Sequence, residues 1–289
     1  MYWSLNPGAI GIRLPLPEIL PLARATGFAG VDINIVEVAD LVAQQGLGAV
    51  QALFQEAGVR LGSWGLPVDW RGATERWRAG LADLPRLADL AVALGARRCV
   101  TWVPPASDER PFAENFAWHV ERLQPIAEVL RAAGCRLGLE FIGTPSLRRT
   151  RRYPFLYTQD GMLDLARAIG TGNVGLLLDS WHWYTSGGTL ADLHRLTAAD
   201  IVAVHLNDAP AGVPLDELQD NARCLPGETG VIDLAGFLQA LQAVGYDGPV
   251  AVEPFNQAVS ALPPAEAARA TAESLRRVWQ RAGLPLPVA

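Results

Sequence analysis

Lysine is missing altogether: the 24 basic residues among 289 are all arginine. That gap excludes a Schiff-base lysine, a lysine general base and a P-loop lysine at once. Cysteine is scarce and scattered. Cys99, Cys135 and Cys224 form no C-x-x-C pair, and two of them open apolar stretches, which reads as buried structural thiols in a reducing compartment. No run approaches 18 apolar residues, and no basic segment followed by a long apolar one opens the chain. Neither a membrane span nor a secretory leader is expected, and the protein is placed in the cytoplasm. Positive charge is also short. A net charge of −6 and a pI near 5.3 argue against a protein that grips a nucleic-acid backbone. No G-x-G-x-x-G follows the first apolar stretch, and no linker or low-complexity segment divides the chain.

Half of the residues are hydrophobic and 19% are charged, enough for a sizeable core. Glycine recurs where helical patterns stop and apolar strands start, as in "EAGVRLGSW", "ALGARRCVTW", "AAGCRLGLEF" and "AVGYDGPVAVEPF". Between these points run amphipathic stretches such as 82–94, 114–133 and 233–244, the last with Asp233 as an N-cap. Eight short, continuously apolar strands are expected near 2–6, 30–35, 60–65, 98–103, 136–142, 174–179, 201–206 and 249–254. A final helix is expected over about 264–282, and the proline-rich "LPLPEILP" and "PLPVA" read as a loop and a tail. Strict alternation with eight strands predicts an α/β protein, a single (β/α)8 TIM barrel spanning residues 1–289.

The late strands end in chemistry. "GLEFIG", "LLLDSWH", "VAVHLND" and "VAVEPFN" place Glu140, Asp179, His205 and Glu253 at equivalent points on strands 5 to 8, at the mouth where barrel chemistry sits. A salt bridge or loop cap explains any one of them alone. Four successive strands ending in metal-capable side chains point to a metal site. Three carboxylates and one imidazole suit Mn2+ first, with Mg2+, Co2+ or Zn2+ as alternatives. A divalent charge also explains how three acids crowd together and stay ionised. His182, between Trp181 and Trp183, lies beyond the ligand plane and reads as a hydrogen-bonding group for substrate or ligand.

Residues 209–230 form a long connection, and Arg223 and Glu228 flank its Pro226-Gly227 turn, either as a lid over the site or as a solvated pair. Arg148, Arg149, Arg151 and Arg152 in "SLRRTRRYPF" read first as a solvated charge run and second as an anion clamp. Trp64, Trp102 and Trp181 are either stacking surfaces for a ring or core. His119 and His194 fall inside helical patterns and read as surface residues.

"LEFIG", "NVGLLLDSWHW", "HLNDAP…NARCLPGETGVID" and "YDGPVAVEPF" together resemble the xylose isomerase-like TIM-barrel superfamily of sugar phosphate isomerases and epimerases, and within it the inosose (2-keto-myo-inositol) isomerases. The resemblance is strong over about 136–256 and loose over the first 100 residues. It implies one divalent metal on Glu140, Asp179, His205 and Glu253; Glu140 and Glu253, on different strands, are the candidates to remove and return a proton, with His182 as a further catalytic candidate. It also implies that His182, Asp208 and Arg223 contact or orient substrate and that Glu228 sits in the family's Pro-Gly turn as a further candidate, while Trp102 and Trp181 are candidate substrate contacts by their aromatic faces alone. Ketose 3-epimerases of the superfamily often carry a further Glu where this chain has Ser146, and xylose isomerases proper use two metals and a lysine. Both subfamilies therefore fit less well.

These residues lead to an isomerase or epimerase of a sugar or cyclitol hydroxy-ketone, working by proton abstraction through an enediolate. A dehydratase or keto-glycoside lyase shares the first half of that reaction. An AP endonuclease-like repair enzyme shares the barrel, yet four histidines and an acidic charge do not suit three zinc ions and DNA. A barrel that only binds ligand would not need all four strand-end ligands. A small-molecule sugar or cyclitol is thus the expected partner, without nucleic acid or membrane. Dimers and tetramers are common among similar barrels, so the resemblance allows a homo-oligomer.

Overall fold

The computed structural model describes residues 1–149 and 151–287. Eight parallel strands close into one barrel: β1 (Tyr2–Leu5), β2 (Gly30–Ile33), β3 (Arg60–Gly65), β4 (Arg98–Val103), β5 (Arg136–Phe141), β6 (Val174–Asp179), β7 (Ile201–Leu206) and β8 (Pro249–Val252). Each pairs with its neighbours in the chain, and β1 closes the ring on β8 through Trp3 opposite Val250. The TIM-barrel expectation holds because each apolar strand is bracketed by a helix that turns the chain back. Gly58 shows how such a helix ends. Its φ of 62° is a left-handed conformation that glycine adopts without strain, and its N–H caps carbonyls of the Leu47–Ala57 helix before β3 begins.

The strands are buried on both faces. Leu137, Leu139, Leu176, Leu178, Val204 and Val250 are fully inaccessible, each side chain stabilising the fold by roughly 1.5–3 kcal/mol. Outside, amphipathic helices complete the second layer. The helix read from residue 82 begins earlier, at Thr74, because its first turns carry exposed polar residues that give no apolar period. Asp233 caps the Leu234–Ala243 helix by accepting from the Gly236 N–H at 2.9 Å.

One further expectation needs correction. "LPLPEILP" is not all loop, since a helix over Leu16–Thr26 starts inside it. Pro17 fits its first turn, where no N–H partner is needed, and Pro21 is tolerated within it. Beyond the barrel, Ala106–Ser107 and Tyr153–Pro154 pair antiparallel and tie the loops after β4 and β5 together across the mouth. Of the tail "PLPVA", residues 285–287 are irregular and 288–289 lie outside the described residues. Among the described residues, no helix is long and apolar enough to cross a membrane.

Candidate metal centre

Strand register brings the late strand ends level. Asp179 at the end of β6 lies opposite His205 on β7, Val252 on β8 opposite Leu206, and Glu253 follows Val252 directly. Glu140 near the end of β5 completes the group. One ligand atom from each of Glu140, Asp179, His205 and Glu253 lies within 4.8 Å of the others, about twice a usual metal–oxygen distance of roughly 2.0–2.6 Å. His205 Nδ1 faces all three acids, 3.3 Å from Glu253 Oε2 and 3.9 Å from both Glu140 Oε1 and Asp179 Oδ2. Two of these approaches are too long for a hydrogen bond and the 3.3 Å one lacks its geometry, so His205 Nδ1 and Glu140 Oε1 are buried without partners. Buried polar atoms are seldom left so. Two orphans turned toward one point, among carboxylates, fit a divalent cation.

Electrostatics carries the same mark. Burial pushes the Glu140 carboxyl well above the usual range, and Glu253 and Asp179 push it further. Burial also raises Asp179, against the pull of Arg223 and His205. Burial alone would strip His205 of its proton, yet Glu253, Glu140 and Asp179 hold its pKa up to about 10. Glu253 is the exception: burial works against its charge, but His205 and Arg223 keep it below the usual value. The cluster is short of positive charge, and a bound ion would supply it.

Asp179 is the most tightly held ligand. Its Oδ1 accepts from the Trp181 N–H at 2.7 Å, capping the short Ser180–Thr185 helix. The Asn207 amide donates to both Asp179 oxygens at 3.0 and 3.1 Å, and its own oxygen accepts from the Glu253 N–H at 3.1 Å. Asn207, two residues past His205, was not singled out in the sequence. Only the pattern "HLN" marked it, and nothing local says that its amide spans β6 and β8.

Arg223 reaches this centre from the long loop after β7. It is 2% exposed and donates to Asp179 Oδ2 at 2.9 Å, to Asp220 Oδ1 at 3.0 Å and to the Asp220 carbonyl at 2.8 Å. Its Nη1 lies 3.5 Å from Glu253 Oε2. The solvated-pair reading fails for Arg223, because three acids need its charge. It holds for Glu228, which is exposed and only closes its own turn by accepting from the Leu225 N–H at 2.9 Å. Asp208 is likewise structural. It is fully buried, and its carboxylate accepts from the N–H groups of Thr229, Gly230 and Ile232, folding the loop back on itself.

His182 is buried beside Arg223. The Gly143 N–H approaches its Nδ1 at 3.2 Å and the Arg223 Nη2 its Nε2 at 3.3 Å, so donors face both ring nitrogens. Asp220 Oδ1 lies 3.7 Å from the same Nε2. Burial and the charges of Arg223 and His205 hold His182 neutral, its pKa well below the usual value. Gly143 is required here for space: a Cβ would stand 2.2 Å from the His182 carbonyl oxygen.

Above the ligands opens a cavity of about 620 Å³, lined by Glu140, Glu253, His182 and Arg223 on one side and by Arg71, Trp102, Trp118 and His119 on the other. Phe255 completes the rim with φ 41°, the one non-glycine residue among those described with positive φ. Such backbone costs about 1–3 kcal/mol and gathers at functional sites. Here the Arg223 guanidinium stacks on the ring at 4.7 Å. Of the predicted stacking surfaces, Trp102 is on the cavity wall, 44% exposed. Trp64 and Trp181 are not. Both are fully buried, and Trp181 packs under Arg223 with its Nε1–H donated to Thr144 Oγ1 at 2.9 Å. His194 is on the surface as expected, but His119 is 2% exposed, because Trp70, Trp118 and Phe155 enclose it.

The loop-5 arginines form no clamp. Arg149 pairs with Asp216 and Arg151 with Asp108, while Arg148 and Arg152 stack on Tyr157 and Tyr153. Thr150, between them, lies outside the described residues.

Comparison with known proteins places the chain in a family. The model of the family described as "Xylose isomerase-like TIM barrel" matches residues 20–278. The solved structure of a xylose isomerase domain protein from Alicyclobacillus acidocaldarius superposes with a TM-score of 0.89 at 34% identity, covering 98% of this chain and 99% of that one. An inosose isomerase of Bacillus licheniformis is 29% identical over 182 residues, 63% of this chain and 62% of that protein. A 3-dehydroshikimate dehydratase of Pseudomonas aeruginosa is 31% identical over 251 residues, 86% of this chain but 37% of that protein. The match thus spans less than two thirds of either curated relative.

Proposed function

Because the chain belongs to the xylose isomerase-like TIM barrel family, we propose that it is a divalent-metal-dependent isomerase or epimerase of a sugar or cyclitol hydroxy-ketone. The observation that carries this reading is the four-ligand cluster with two orphaned atoms at the floor of a cavity large enough for one ring. Mn2+ is the preferred ion for an oxygen-rich set, ahead of Mg2+, Co2+ and Zn2+. When bound, such an ion supplies the charge that acidifies a C–H beside a carbonyl and steadies the oxyanion formed on deprotonation.

This chain's own residues divide the remaining work. Asp179 is oriented by Asn207, Trp181 and Arg223 and does not line the cavity, so it serves as a ligand and not in proton transfer. Glu140 and Glu253 do line it. Glu253, kept ionised by His205 and Arg223, is the base that takes the proton from carbon. Glu140 stands across the site to return one on the other side. His182 and the Arg223 guanidinium edge meet the substrate oxygens, which orients the ring and favours the enediolate.

The test is turnover of keto-inositols and ketoses by Mn2+-loaded protein in D2O, followed by NMR. Deuterium should enter product at the reacting carbon. Turnover with no deuterium entering, in substrate or product, would overturn the proton-transfer reading. A second reading shares the proton abstraction and then expels a β-hydroxyl. It is favoured by the dehydratase relative, whose similarity runs over 86% of this chain, and its signature is an unsaturated product in the same spectra.

A further inference from the structure

Opposite the metal centre, the cavity wall carries a guanidinium with no ion-pair contact among the described residues. The other cavity arginines are paired: Arg110 with Glu109 at 2.9 Å, Arg151 with Asp108 at 2.6 Å, and Arg223 with Asp179 and Asp220. Among the described residues, Arg71 has no carboxylate within ion-pair distance, and nearby Asp69 is taken by Arg76 at 2.7 Å. Yet Arg71 is held in place. Its Nη1 donates to the Trp102 carbonyl at 2.7 Å and to Thr101 Oγ1 at 3.2 Å, and its carbon centre sits 4.3 Å from the Trp102 ring and 4.9 Å from that of Trp70. Fixing an arginine this way costs side-chain entropy, up to about 2 kcal/mol, which a merely solvated residue has no reason to give up. Its Nη2 and Nε edge makes no hydrogen bond within the described residues, the fork that binds a carboxylate bidentately.

The wall has a second unmet group. His119 donates its Nδ1–H to the Asn115 carbonyl at 2.7 Å, so Nε2 is an acceptor, and it is buried without a partner. Burial holds the pKa of this histidine down to about 4, so Nε2 stays an acceptor at neutral pH and calls for a hydroxyl donor. Both groups line the same cavity as Glu140 and Glu253. Trp102, on which Arg71 stacks, lies directly opposite Glu140 in the β4–β5 register, and adjacent strands are only about 4.8 Å apart.

We infer that the Arg71–Trp102–His119 wall is a specificity subsite for a carboxylate-bearing hydroxy-ketone ring, Arg71 taking the carboxylate, Trp102 the ring face and His119 Nε2 a ring hydroxyl. This deepens the hydroxy-ketone reading above and rests on it for the ketone alone. It makes a cyclic keto-acid a better substrate than an uncharged keto-inositol.

The experiment is calorimetric titration of the full Mn2+-loaded chain with two unreactive six-membered polyols, quinate, which carries a carboxylate, and myo-inositol, which does not. Wild type should bind quinate about tenfold or more tighter than myo-inositol. Arg71→Gln should abolish that difference by weakening quinate alone, and Arg71→Lys should restore part of it, because the charge returns without the fork. His119→Asn, with a Tm close to wild type, should weaken both ligands alike. Equal affinity of wild type for the two polyols, no measurable quinate binding at millimolar concentration, or equal weakening of both by Arg71→Gln would overturn the inference. Binding is read without turnover, so its outcome is separate from that of the D2O experiment. A protein that turns over keto-inositol with deuterium entry but shows no quinate preference loses only the carboxylate subsite.

Discussion

The barrel mouth has two unlike halves. On β5 to β8 the strand ends carry Glu140, Asp179, His205 and Glu253, all within 4.8 Å of one another. On the side of β3 and β4 the wall is Trp102, Arg71 and His119, and the acids of that side, Asp108 and Glu109, are paired with Arg151 and Arg110. Two buried histidines express the difference. His205 faces three carboxylates and holds a proton to about 10, whereas His119 faces aromatic rings and gives its own up near 4. Burial is common to both, so the neighbours decide the charge. In the function proposed above, one half holds a cation and moves protons and the other recognises what is brought to it.

Breaking the reactive half should cost most. Glu253→Gln keeps size and one oxygen but removes the base, and kcat should fall by about 10²–10⁴-fold while some metal is retained. Kinetics beside elemental analysis would check it, and near wild-type turnover in the loaded variant would remove Glu253 from the chemistry. Next comes Arg223→Lys. Charge is kept, but the fork that joins Asp179, Asp220 and the Asp220 carbonyl is lost, at about 1.5–3 kcal/mol for hydrogen bonds to charged groups. A kcat/KM reduced by roughly tenfold to a hundredfold is expected.

The two histidines can be compared directly. An imidazole ligand must be neutral, so binding of Mn2+ at pH 7 should expel the proton that His205 otherwise holds to about 10. Already neutral, His119 contributes none. Calorimetry in two buffers of different ionisation enthalpy would count the protons released, and a count of zero would contradict the charge assigned to the centre. The smallest effect is expected outside both halves. Glu228→Ala removes an exposed turn cap, and changes of this kind usually stay within about 0.5 kcal/mol of stability. A large loss of activity would bring the loop-7 turn back into the site.

Much of this was legible in the chain, and the exceptions share a cause. Strand positions followed from continuous apolar runs ended by glycine, because a strand covered on both faces has no polar register to lose. The four strand-end side chains could be aligned by their place at the ends of those runs. Arg223 was visible, but its burial was not, since a long loop gives no period from which to read a direction. Asp208, Glu228 and Trp181 looked like substrate contacts in the sequence, yet their partners are backbone N–H groups or packed side chains within the protein. Helical spacing made His119 a surface residue, while the tertiary packing of Trp70, Trp118 and Phe155 buried it.

By itself, then, the sequence determined the alternation of strands and helices, and with it which side chains stand at the mouth, because hydrophobic period and glycine punctuation act locally. Tertiary structure alone decided which of those groups share a charge. Arg223 meets Asp179 across 44 residues, and Arg71 leans on Trp102 across 31. Electrostatic energy depends on separations of a few ångströms, which only the closed barrel establishes.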